Sequence, residues 1–301
     1  MQKLDGLSVG QFKSSLQCHL SLRLQPCMID RISLTCFGAS YAVALVLDCF
    51  YLRWPFRFNR IASLGFTLAG LCAQTAYMAY RQPSLVEPFG YFLFLAWVLA
   101  IVYLVRVGPQ IGRSVRIFTL PLVLVLLFLA WILGGPESIR VHFLSRQHPV
   151  VNTLHVVGLI GSSITLSLGF LCSCMYLARS WQLRSKHVPG WGLRLPSLET
   201  LEIAIRWFLS FTFPLMTVGL VLGVGLGAAG PIEWTGWTNS RVIATFILWI
   251  DFAVLLGLRH GLGVRGNVLA VLVVVAFALF IVCAVLPHPV SPIYSGPGDE
   301  P

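Results

Sequence analysis

Residues 267–286 read NVLAVLVVVAFALFIVCAVL, twenty consecutive positions without a charged side chain. A helix of that length rises about 30 Å, the thickness of a bilayer's hydrocarbon core. The run is too long and too unalternating for a strand of an outer-membrane barrel, and an open sheet cannot satisfy its backbone in lipid. Working outward, the same rule finds further spans near 241–258, 206–229, 151–178, 116–134, 89–107, 61–80 and 32–52. The sequence therefore predicts an all-α integral membrane protein, a single bundle of about eight transmembrane helices.

Composition agrees. The chain is 57% hydrophobic and 11% charged, with a mean hydropathy of +0.82. Soluble domains carry about a quarter charged residues, so this chain could not cover its surface in water. The spans leave room for one membrane domain at 29–290, a polar or interfacial segment at 1–28 and a short polar tail at 291–301. Residues 1–28 are too polar for a signal-peptide core, and Met28 is the expected start. The eight cysteines show no C-x-x-C spacing and fall mostly within apolar runs, which argues against a disulfide or zinc framework. The net charge of +10 lies between apolar runs rather than on a soluble basic face, so nucleic acid is not an expected partner and the bilayer is.

Orientation follows from loop charge. Arg53, Arg57, Arg60, Arg106, Arg113, Arg116, Arg179, Arg184, Lys186, Arg194, Arg206, Arg259 and Arg265 fall on one side. The opposite inter-helix loops hold only Arg81, Arg140, Arg146 and Arg241. The basic side is read as cytoplasmic and both termini as facing away from it, against the basic residues Lys3, Lys13, Arg23 and Arg31 that precede the first span.

That topology brings His155, opening the fifth span, and His288, closing the eighth, to the same outer face. The loop GPIEWTGWTN presents Trp234 and Trp237 there as well. Two neutral imidazoles beside indoles suit a bis-histidine haem site. On topology alone interfacial placement is the favoured reading, because Trp is enriched at membrane boundaries in any case. His142 and His148 lie on the same side; His187 and His260 lie on the cytoplasmic one. Gly219, Gly223 and Gly227 form a small-xxx-small ridge on the sixth span, which suits close helix packing or a flat ligand, helix packing being the favoured reading. Asp48 and Asp251 fall near the ends of apolar runs and are read as solvated, with a proton path through them as the alternative. No Walker A loop, G-x-S-x-G, H-E-x-x-H or dinucleotide fingerprint is present, so nothing points to hydrolysis, phosphoryl transfer or a nicotinamide cofactor.

Several stretches resemble the CcsA-type cytochrome c assembly family, in particular its shorter HemX-like branch. They are PFGYFLFLAWVLAIVYLVRVGPQIGRSVRIFTLPLVLVLLFLAWIL, the LH opening of the fifth span, LPSLETLE with FPLMTVGLVLGVGLGA, and ILWIDFAVLLGLRHGLGVRG. The resemblance spans roughly residues 30–290. It implies handling of haem b, held non-covalently at the outer face of a bacterial inner membrane during cytochrome c maturation. It places the axial ligands at His155 and His288, with Trp234 and Trp237 covering the porphyrin. Other assembly proteins, and through them apocytochrome c, are the implied partners.

The chain departs from the family pattern in two places. The tryptophan-rich loop has Asn239, Ser240 and Arg241 where the family carries Asp, Pro and Lys. Gly257 stands where members with full haem lyase activity carry an intramembrane histidine. These departures favour haem binding or an accessory role over ligase activity. A regulatory or scaffolding subunit without stably bound haem is the alternative.

Overall fold

The computed structural model describes residues 34–54, 57–85, 87–105, 112–133, 149–185, 195–228, 240–261, 263 and 266–286. Its helices are α1 Leu34–Arg53, α2 Arg57–Arg81, α3 Pro88–Leu104, α4 Gly112–Leu133, α5 Pro149–Arg184, α6 Leu198–Ala228, α7 Ser240–Gly261 and α8 Asn267–Val285. There is no strand among the described residues. Seven of these helices are long and apolar enough to cross a membrane, and α3 is a shorter apolar helix of 17 residues. The protein is a multi-pass membrane bundle.

Each helix forms where the apolar run requires it and ends where polarity or proline interrupts. Pro88 opens α3 at a position whose N–H has no intrahelical acceptor in any case. Pro121 and Pro214 lie inside α4 and α6, where neighbouring helices can re-satisfy the freed carbonyls. α5 and α6 run 36 and 31 residues, about 54 and 46 Å, so both project beyond the hydrocarbon. The projecting turns of α6 hold Glu199, Glu202 and Arg206, charges that belong in water.

The helices pack as two groups. In the first, α1 lies against α2 and α4, and α3 against α4 and α2. In the second, α5, α6, α7 and α8 close a ring, with the α5–α6 pair the most extensive contact in the protein. Contacts of α5 with α3 and α4 join the groups. Large apolar side chains such as Phe58, Ile61, Trp131 and Val221 face outward, as lipid allows and water would not.

A buried polar network ties the first group together, and it corrects the reading of Asp48. This carboxyl is 4% exposed; the Tyr103 hydroxyl donates to its Oδ2 at 2.8 Å and is itself 2.7 Å from Ser63 Oγ. Tyr41 donates to Gln74 Oε1 at 2.7 Å, and Gln74 Nε2 donates to the Leu93 carbonyl at 3.0 Å. In hydrocarbon a polar group is tolerated when its partners are internal, and here α2 and α3 supply them to α1. Asp251 is corrected too. It lies mid-helix in α7, not at an end, and its Oδ2 is buried with no hydrogen-bond partner among the described residues.

Candidate functional site at the His155 end of the second helix group

His155 sits in the second turn of α5, on the stretch HVVGLIGSS that small residues let approach α6 closely. A Cβ built on Gly158 would lie 3.0 Å from the Leu215 carbonyl oxygen and 3.2 Å from Gly219 Cα. Only a residue without a side chain permits that backbone contact. One turn further out, the imidazole lies against α6, its Nδ1 2.6 Å from the Gly219 carbonyl oxygen. A carbonyl can only accept, so Nδ1 carries the proton and donates it. The neutral ring's lone pair is therefore on Nε2, which has no partner among the described residues.

The glycine ridge of α6 divides into two jobs. Gly219 faces Leu159 and Gly158 and serves helix packing. Gly223 serves the histidine: a Cβ there would meet His155 Cε1 at 2.5 Å and Nδ1 at 2.8 Å. The flat group lodged on this ridge is thus the imidazole itself. Further down, Thr212 donates to Thr165 Oγ1 at 2.8 Å, and Gly169 lies against Phe208, continuing the seam away from His155.

Beneath His155 the ring of α5–α8 leaves a half-open cavity of about 70 Å³. Its lining includes Leu159, Ser162 and Ser163 from α5, Thr212 and Met216 from α6, Arg241 and Thr245 from α7 and Cys283 from α8. Tyr91 of α3 reaches it from the other helix group, its ring 6.2 Å from that of Phe280.

The other predicted site residues are distributed as follows. His288, Trp234 and Trp237 lie outside the described residues, as do His142, His148 and His187. The described chain reaches Ala228 before the tryptophan loop and Ser240 after it. It also reaches Leu286, two residues before His288. Each of these points is at the helix end that carries His155. Gly257 faces open space, for a Cβ there would meet nothing within 4 Å.

Residues 85–287, α3 through α8, match the family described as "Cytochrome C assembly protein". The chain belongs to that family. It is also similar to Protein HemX of Bacillus subtilis (strain 168), at 26% identity over 117 residues. That alignment covers 39% of this chain and 42% of HemX, so the likeness extends over less than half of either protein. No solved structure matches. The family stretch includes His155, Trp234 and Trp237 and stops one residue short of His288; α1 and α2 lie outside it.

Two features of the site escaped the sequence reading. A second small-residue series on α5, Gly161, Thr165 and Gly169, recognisable by its spacing of four, faces Leu215, Thr212 and Phe208 of α6 below the glycine ridge. Arg241 counted as loop charge and as the residue standing for the family's loop Lys, whereas it occupies the first turn of α7 and lines the cavity. Its sequence signal is its position: the fourth residue past Trp237, immediately before an apolar run.

Proposed function

We propose that this protein binds haem b non-covalently at the outer face of a bacterial inner membrane during cytochrome c maturation. His155 would serve as one axial ligand through Nε2 and His288 as the other, with Trp234 and Trp237 over the porphyrin. A role in cytochrome c maturation is what membership of the family suggests. The observation that carries the haem reading is the setting of His155. Its Nδ1–H is held by the Gly219 carbonyl, the outer-shell arrangement that fixes tautomer and ring orientation in histidines that ligate metals. Gly223 supplies the space in which that ring fits. A donor set of neutral imidazoles suits haem iron. When bound, the haem would supply an iron centre whose redox state two imidazoles tune; the chain's own part is to fix its orientation and present it to partner assembly proteins.

A second reading is favoured by the similarity to Protein HemX: a regulatory or scaffolding membrane subunit with no stably bound haem. The visible spectrum of the detergent-purified protein separates the two. A Soret band with sharp α and β bands on reduction supports haem binding. A preparation that stays colourless after haem is added overturns it in favour of the second reading.

A further inference from the structure

We propose that the outward face of α7 docks a transmembrane helix of a different protein, one that carries a cationic side chain at mid-membrane depth to meet Asp251. The inference is independent of the haem reading above.

Three observations lead there. The first is the carboxyl. Asp251 is eleven residues from Ser240 and ten from Gly261, about 15 Å from either end of the helix. That is near the centre of a hydrocarbon core about 30 Å thick. Its Oδ2 is buried and meets no hydrogen-bond partner among the described residues. An acid at that depth is costly unless paired, and it marks a function by default. Asp48 shows what the bundle does with a carboxyl that it satisfies itself: it is 4% exposed and has the Tyr103 hydroxyl at 2.8 Å. Asp251 has no such neighbour among the described residues.

The second is the face beside it. α7 packs against α6 and α8, and it is the least buried of the seven long helices. Ile243, Ile247, Ile250 and Val254 run down its outward side, all exposed, at alternating steps of four and three. Gly257 and Gly261 continue the series, and a Cβ on either would meet nothing within 4 Å. That step is the period of a helix–helix seam, and small residues let a second helix come close. Lipid alone could cover the stripe; the carboxyl decides otherwise. One turn away along α7, Asp251 has the exposed Ile247 and Val254 on one side and the buried Leu248 and Leu255 on the other. It stands at the flank of the stripe, where charged residues of packed helices pair.

The third is charge, which selects the occupant. The described helices contain no lysine, and their arginines lie near helix ends or on the projecting turns of α6. A second copy packed through α7 would bring another Asp251 to the first across a two-fold axis and offer no cation at its depth. Like charges placed together are repulsive, whereas a Lys or Arg at the middle of a foreign helix neutralises the acid and is itself neutralised. The complementary occupant is therefore a helix of another membrane protein.

The test is an energy-transfer titration in phosphatidylcholine vesicles between the full-length protein and synthetic leucine–alanine helices of about 20 residues. One helix carries a lysine at its centre, one carries it two turns nearer an end, and one carries none. The wild type should bind the central-lysine helix about fivefold to thirtyfold more tightly than the apolar one, the range of an interhelical polar pair in lipid. The displaced lysine should bring no gain. Asp251→Asn should reduce the preference and Asp251→Leu should abolish it, both at wild-type helix content. Gly257→Leu fills the stripe without touching the carboxyl, and should weaken binding of the lysine and apolar helices alike. Equal binding of those two helices by the wild type overturns the docking site without any variant having to fold. A lysine preference that survives Asp251→Leu overturns it as well. Energy transfer between two copies of the protein that is lost in Asp251→Asn would assign the face to self-association and overturn the foreign helix.

Discussion

The imidazole of His155 occupies the space that a side chain at residue 223 would fill, its Cε1 lying 2.5 Å from where a Cβ on Gly223 would stand. Position 223 therefore controls a group 68 residues away in sequence, on another helix. Gly223→Ala should displace the ring and break its hydrogen bond to Gly219. Overpacking of this kind costs about 1–3 kcal/mol. Gly225→Ala is the control, since a Cβ there meets nothing within 4 Å and alanine favours the helix by up to about 1 kcal/mol. Thermal unfolding in detergent should separate the two variants in opposite directions, and haem affinity should fall only in the first. Equal behaviour of the pair would show that the close fit at Gly223 does not hold the ring.

The buried network of the first helix group yields a second expectation. Tyr103 is the hydrogen-bond donor to Asp48 Oδ2, so Tyr103→Phe strands a carboxyl that is 4% exposed. The loss of a buried partner should cost about 1–3 kcal/mol. Phenylalanine keeps the ring, so packing changes little and the effect reads the hydroxyl alone. Asp48→Asn in the same background should recover part of the loss, because the amide brings its own N–H donors to a site that has lost one. A Tyr103→Phe protein as stable as wild type would mean that water reaches Asp48.

The eight helices were legible because lipid imposes one rule, a long apolar run for each crossing, and residues 267–286 obey it without exception. The same rule misplaced the start of α6, expected near 206 and found at Leu198. Those first turns project past the hydrocarbon, so hydropathy falls across Glu199, Glu202 and Arg206 while the helix continues. The signal that marks the true start is a cap. Ser197 Oγ accepts from the Thr200 N–H at 3.2 Å, the N-cap pattern that a serine before a helix announces. Asp48 was misread for a related reason: its proximity to a helix end says nothing of the neighbour that Tyr103 provides. His155 and the α6 glycines were both legible as residues, but their contact was not, since spacing along a chain does not say which helices touch. His288 and the two tryptophans rest on the sequence alone.

Orientation has its own check. The basic inter-helix loops predict that the turns after α1, α3, α5 and α7 are cytoplasmic. Reporter fusions near Ser145 and after Pro301 should both read as outside the cytoplasm, and one between α5 and α6 near Lys186 as inside. A C-terminal fusion active in the cytoplasm would put His288 on the wrong side from any outer-face site and remove the bis-histidine reading.

The most direct expectation concerns the two histidines. If His155 and His288 jointly ligate iron, replacing either with alanine leaves a five-coordinate or water-ligated haem, and the spectrum should shift from low-spin toward high-spin. Loss of His155 also frees the Gly219 carbonyl, but that oxygen keeps a place in the α6 helix, so the bundle should persist. Replacing His187, on the cytoplasmic side by the charge rule, should change nothing. The comparison separates ligation from folding, since a general defect gives no matched change at two positions 133 residues apart. Added imidazole should restore the low-spin bands in both variants by filling the vacated position. Should His155→Ala and His288→Ala both keep the wild-type haem content and spectrum, the ligand assignment is wrong, and His142 and His148 become the residues to replace next.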